Sequence, residues 1–201
     1  MPMRIAVAIS GRGSNLEALL RALPDGGPAS IDLVLSNRAA AGGLDLARRH
    51  GVPTVVLADP ADADAWLGPL AQARVDLLVL AGYLKLVPAG VVQRYRGRIL
   101  NIHPALLPAF GGPGMYGRRV HEAVLAAGAR ESGATVHLVD EVYDRGQILA
   151  QARVPVLPSD TPETLAERVL AVEHRLLPAV VLAAAKAGRP VPLPEPVELP
   201  S

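Results

Sequence analysis

The chain has 201 residues, no cysteine and a formal net charge of +1, enough length for one sizeable core and short for two domains. Without cysteine there are no disulfides, thiol nucleophiles or thiolate metal sites, which fits a cytoplasmic protein. The near-neutral charge argues against a nucleic-acid partner held by phosphate neutralisation, and no apolar run is long enough to span a bilayer.

Met1-Pro-Met-Arg4 leads straight into a strand-like run rather than a signal peptide. Met3–Ile9 reads as a buried strand. Ile9-Ser-Gly-Arg-Gly-Ser-Asn-Leu16 follows it and opens a helix over about 15–23. Glycines let backbone approach an anion closely, and a helix start offers unpaired N–H groups at the positive end of its dipole. Ser14 or Asn15 can cap the helix or donate to a phosphate. The dinucleotide fingerprint fails twice. Leu16 stands at its third glycine, and the second strand ends at Ser36-Asn37 without an acidic ribose ligand. The loop suits a terminal phosphate better than a pyrophosphate; the plain structural alternative is a tight turn.

Strands at 31–35, 54–57 and 75–80 alternate with helices over about 43–50 and 62–73. This rhythm predicts right-handed βαβ units and a parallel sheet. Leu80-Ala-Gly-Tyr-Leu-Lys-Leu-Val87 leaves the fourth strand at its carboxyl end, where open sheets bind ligands. Small Ala81 and Gly82 permit close approach, and Leu84, Leu86 and Val87 can wall a flat ring.

After Arg98 the rhythm changes. A strand at 99–102 meets a Gly/Pro-rich loop at 104–117, then a helix over about 118–127. Strands at 135–139 and 148–154 follow, joined by a charged loop. The last helix runs over about 163–187, and Pro178 should kink or split it. Residues 190–201 carry five prolines and read as extended or disordered. The expected architecture is α/β: a Rossmann-like, doubly wound, mostly parallel sheet with an antiparallel C-terminal edge. One domain covers 1–188 and a Pro-rich tail 189–201.

Asn101 and His103 are two apart on an extended segment, so they point the same way. An amide donor beside an imidazole suits one task, holding a developing oxyanion while moving a proton on the same centre. Asp144, farther along, can supply the carboxylate that favours a charged imidazole and raises its pKa. Taken singly, each residue has a plain structural reading. A His before Pro is usually structural, an Asn ending a strand is a turn residue, and Asp144-Arg-Gly146 is a hairpin turn. His137 shares a strand face with Thr135 and Val139 and is assigned a supporting or core role. His50, His121 and His174 fall on helices, and no pair of histidines has metal-ligand spacing, so no metal is expected.

The run Leu100-Asn-Ile-His-Pro-Ala-Leu-Leu-Pro108, with Asp144 downstream, resembles the formyltetrahydrofolate-using transferases and hydrolases, and the likeness extends over about residues 3–180. The loop Ile9 to Leu16 narrows it to the branch acting on phosphoribosylglycinamide. The resemblance implies the formyltransferase fold and a step of de novo purine biosynthesis. A formyl group would pass from the co-substrate 10-formyltetrahydrofolate to the glycinamide amine of 5-phosphoribosylglycinamide, through a tetrahedral intermediate. It implies a catalytic trio of Asn101, His103 and Asp144. Gly13, Ser14, Asn15 and Glu173 would bind the ribotide. Leu84, Lys85, Leu86, Val87 and Asn101 would bind the folate, and Leu107–Pro108 would be a cis bond. Expected partners are small molecules, with no nucleic acid and no membrane; monomer and homodimer both remain open. The alternatives are a formyltetrahydrofolate hydrolase and a non-catalytic nucleotide- or folate-binding module. Relatives acting on formyl-methionyl-tRNA or hydrolysing the folate usually add a further domain, for which this length leaves no room.

Four departures from the family pattern stand out. Lys85 replaces a frequent Arg and loses its bidentate fork. Leu170 stands where a polar residue is common, and Ala63 aligns near an Arg that pairs with the folate tail in some members. Phe110-Gly-Gly-Pro-Gly-Met-Tyr-Gly117 is a longer glycine-rich segment, expected to act as a mobile lid.

Overall fold

In β1 (Met3–Ile9) every side chain from Ile5 to Ile9 is fully buried. Period-two alternation explains how one strand fills two cores: Ile5, Val7 and Ile9 enter one cluster, Ala6 and Ala8 the other. The computed structural model describes residues 1–142 and 144–194. After β1 come α1 (Ser14–Ala22), β2 (Ala29–Ser36), α2 (Gly42–Arg49), β3 (Thr54–Val56), α3 (Ala63–Gln72) and β4 (Leu77–Leu80). Then follow α4 (Ala89–Arg94), β5 (Ile99–His103), α5 (Arg118–Ala126), β6 (Glu131–Leu138), β7 (Ile148–Pro155) and α6 (Pro162–Ala187).

The strands form one sheet in the order β3-β2-β1-β4-β5-β6-β7. Pairings from β3 to β5 are parallel, and β6 and β7 add an antiparallel edge. This is the architecture expected from the sequence. The chain winds outward from β1 to β3, then returns to lay β4 on the other side of β1. Strand order therefore reverses between β1 and β4, which opens a crevice at their carboxyl ends. The loops after β1, β4 and β5 all leave the sheet at that end.

Three elements differ from expectation. Helix α4 falls in a stretch to which the sequence assigns no element, because its six residues are too few for a periodic stripe. Strand β6 begins at Glu131, four residues early, because ladder pairing with β7 holds the propensity-poor segment Glu131-Ser-Gly-Ala134 extended. Helix α6 is not split at Pro178, which lies inside it. Leu176, Leu177, Val180 and Val181 are fully buried on either side of the proline, so packing outweighs one missing hydrogen bond. Of the expected tail, the Leu193 N–H donates to the Leu149 carbonyl at 2.8 Å on β7; residues 195–201 lie outside the described residues. Among the described residues no helix is long and apolar enough to cross a membrane.

Candidate active site

β5 and β6 pair antiparallel, with Asn101 opposite His137 and His103 opposite Thr135. Leu100, Ile102, Ala134 and Val136 take the opposite parity and enter the core. Four polar side chains are thereby sorted onto one face of two adjacent strands, over which loops rather than a core helix close. The result borders a cleft of about 640 Å³. Asn101, His103, His137 and Asp144 all line it.

The trio expected from the sequence converges. His103 Nδ1 lies 3.7 Å from Asp144 Oδ2, with the imidazole 4% exposed and the carboxylate 11%. His103 Nε2 donates to the Phe110 carbonyl at 2.8 Å, so neutral His103 keeps its open lone pair on Nδ1, the nitrogen nearest Asp144. Asp144 takes a left-handed φ of 54° in the β6–β7 turn, a conformation that Asp tolerates better than most residues. Its Oδ2 accepts from the Gly112 N–H at 2.9 Å.

His137 reaches the site, and its register decides its job. Its Nδ1 donates to the Leu138 carbonyl at 2.8 Å, which leaves Nε2 to accept from Asn101 Nδ2 at 3.1 Å. One Asn101 amide hydrogen is spent on that bond, and the second is free for the cleft. The same Nε2 is 3.5 Å from Asp144 Oδ1, so a protonated His137 would turn to the carboxylate instead.

Burial lowers the pKa of His103 and outweighs the nearby Asp144 and the Phe110 carbonyl, which both raise it. The net shift is the reverse of the one expected from the carboxylate alone. For Asp144, burial pushes upward, but the nearby His137 imidazole, the hydrogen bond from the Gly112 N–H and the nearby His103 together hold it below the ordinary carboxylate value.

Behind the trio, Thr135 Oγ1 donates to the Ala105 carbonyl at 2.7 Å and accepts from the Leu107 N–H at 3.0 Å. Gln151 Nε2 joins this knot, at 2.9 Å from Thr135 Oγ1 and 2.8 Å from the Leu107 carbonyl. It pins the segment carrying the Leu107–Pro108 bond, which is cis as expected. The 110–117 loop lies over the cleft, tied to His103 and Asp144 by its own backbone.

At the other end of the cleft the glycine loop is built differently from its simplest reading. Arg12 and Asn15 line the cleft; Gly13 and Ser14 do not. Gly13 is the helix N-cap with φ 82°, and no side chain caps α1. It packs against Gly43 at the start of α2, where the Gly43 N–H donates to the Gly11 carbonyl at 3.1 Å. Asn15 points at α6 instead of capping, and its Nδ2 donates to Glu173 Oε2 at 2.7 Å. Leu170 lines the same end, one turn from Glu173.

Burial pushes Glu173 up to about 7, against the single bond from Asn15. The unfolded carboxyl titrates near 4.5, so between these values the folded chain holds a proton that the unfolded chain has lost. Raising pH through that window destabilises the fold by about 3 kcal/mol. Glu173→Gln should therefore gain several degrees of melting temperature relative to wild type between pH 5 and pH 8. A difference between the two proteins that is flat across that range would contradict this.

The lip of the cleft is apolar. Leu84, Lys85, Leu86 and Val87 all line it, together with Val139 and Val142. Leu84, Leu86 and Val142 are about half exposed, which leaves apolar surface ready for a flat ring.

A model of the formyl transferase family matches residues 3–181. The chain belongs to the formyl transferase family. It is 47% identical over 186 residues to a chloroplastic phosphoribosylglycinamide formyltransferase of Arabidopsis thaliana, which covers 89% of this chain and 64% of that protein. The chain thus spans less than two thirds of that relative. Against the phosphoribosylglycinamide formyltransferase of Haemophilus influenzae it is 40% identical over 185 residues, covering 89% of this chain and 85% of the other. The crystal structure of phosphoribosylglycinamide formyltransferase from Brucella melitensis superposes with a TM-score of 0.83 at 47% identity, over 92% of this chain and 96% of that one.

In this formyl transferase the cleft also holds residues to which the sequence reading gave no role: Arg12, Tyr116, Arg118 and His121. Arg12 had a signal, a cation between two glycines at a helix start. Arg118 is tied to Glu122 and Glu163 at the mouth. His121 is 4% exposed and its Nδ1 has no partner among the described residues; a lone helical His gives no hint of that placement.

Proposed function

We infer that this chain transfers a formyl group from 10-formyltetrahydrofolate to the amine of 5-phosphoribosylglycinamide, a step of de novo purine synthesis. The observation that carries the reading is the convergence of Asn101, His103 and Asp144 in one cleft with unlike ends. One end offers Arg12 of the glycine loop with Asn15 and Glu173, suited to a phosphorylated, hydroxyl-rich substrate. The other offers the lip from Leu84 to Val87 with Val142, suited to a pterin. Arg12 supplies at that end a polar, charged group where Leu170 supplies none.

The folate is a substrate here, consumed in each turnover. The ribotide amine attacks the formyl carbon and negative charge collects on the formyl oxygen. The free Nδ2 hydrogen of Asn101 is the donor for that charge. Neutral His103 accepts the proton that the attacking amine must lose, at Nδ1. The imidazolium so formed stands beside Asp144, which stabilises it. His103 then returns the proton to the departing folate nitrogen, and the carbon–nitrogen bond breaks.

The test is an absorbance assay of folate deformylation with and without phosphoribosylglycinamide. Tetrahydrofolate release that depends on the ribotide is expected. Release at the same rate without it would make the chain a hydrolase, and no release under either condition would leave a binding module.

A further inference from the structure

Ser10 is the first residue beyond β1, 2% exposed and outside the chemistry described above. Its Oγ donates to Asn37 Oδ1 at 2.7 Å and accepts from the Leu84 N–H at 2.9 Å. Its own N–H donates to the Gly82 carbonyl at 3.1 Å. Loops following β1, β2 and β4 therefore meet at one hydroxyl. A hydroxyl has a single hydrogen. Asn37 takes it, so a lone pair is left to face Leu84 and the direction of both bonds is fixed.

The two loops joined there both border the cleft, through Arg12 and through Leu84. Gly11 and Arg12 follow Ser10 directly, at the anion end. Leu84 opens the apolar lip, and its side chain is 48% exposed although its N–H is held inside. The anion loop has a second anchor, the Gly43 N–H on the Gly11 carbonyl. The lip's first residue has, in its backbone N–H, a link only to Ser10 among the described hydrogen bonds.

We propose that Ser10 is a positioning residue that hangs the folate lip from the base of the ribotide loop and so sets how the co-substrate is presented to the amine. This rests on the function proposed above. Its consequence is asymmetric. Loss of the hydroxyl strands the Leu84 N–H and loosens the lip at its first exposed residue, while the Ser10 N–H keeps the Gly82 carbonyl and the anion loop keeps its hold on α2.

Steady-state kinetics with each substrate varied in turn test this. Ser10→Ala should raise KM for 10-formyltetrahydrofolate about tenfold and leave KM for phosphoribosylglycinamide within twofold. Ser10→Thr, which restores a hydroxyl, should recover most of the loss. Asn37→Ala keeps Ser10 but removes its acceptor, and should raise the same KM severalfold, so the idea stays testable if a Ser10 variant fails to fold. The proposal is overturned if both KM values rise together, or if melting temperature falls with the folate KM unchanged. Wild-type protein inert in this assay would instead remove the functional reading. Calorimetric titration of 10-formyltetrahydrofolate into wild type and Ser10→Ala then decides alone: about tenfold weaker binding supports the role of Ser10, and equal binding ends it.

Discussion

His103→Ala should cut turnover by about 10²–10⁴-fold with both Michaelis constants changed only a few-fold. Of the two histidines on β5 and β6, only His103 keeps an open imidazole lone pair. His137 has given its Nδ1 hydrogen to Leu138 and its Nε2 to Asn101. Asp144→Asn should fall by about 10², since its side-chain oxygen still serves the Gly112 N–H but no longer stabilises an imidazolium. The pH profile separates the two effects. In the proposed mechanism His103 must start neutral to accept the amine's proton, so activity should fall as pH drops through its pKa. Burial already sets that pKa below the ordinary value, and Asp144 is what partly restores it. With the carboxylate gone the pKa drops further. The acidic limb of Asp144→Asn should therefore move to lower pH while the plateau falls. A limb that moves upward, or near-normal turnover in both variants, would refute the assigned roles.

Much of this was legible beforehand, for reasons that particular residues illustrate. A strand that is apolar at every position, as at Ile5 to Ile9, must be covered on both faces, and that alone forces helices onto both sides of a parallel sheet. The parity of Asn101 and His103 is a property of any extended chain. What stayed hidden depends on register and burial between distant segments. That His137 holds Asn101 follows only once β6 is set antiparallel to β5 in one register. Asn15 reads locally as a cap, yet it spends its amide on Glu173, 158 residues away. The sign of the His103 shift was misjudged because a sequence displays its charges and not their desolvation. Gly13 was assigned to an anion from its loop alone, and nothing in the sequence signals that its absent side chain is also needed where two loops touch at Gly43.

The same argument about a missing side chain gives a prediction at Gly146. A methyl there would overlap the Leu138 carbonyl oxygen, a backbone atom that cannot swing aside. The φ of Gly146 is not left-handed, so space alone is the constraint. The turn closes just beyond it, with the Leu138 N–H on the Gln147 carbonyl at 2.9 Å. To admit the methyl, β6 and β7 must part at the end bordering the cleft, and Asp144 rides on that turn. Its distance from His103, already 3.7 Å, would lengthen. Gly146→Ala should therefore lose about 1–3 kcal/mol of stability and, well below its melting temperature, about as much turnover as Asp144→Asn. Gly68→Ala is the control. Gly68 lies inside α3 with nothing within 4 Å of an added methyl, so it should melt slightly higher than wild type and keep full activity. If Gly146→Ala instead matches wild type in both melting and turnover, the β6–β7 turn does not hold Asp144 in the way described.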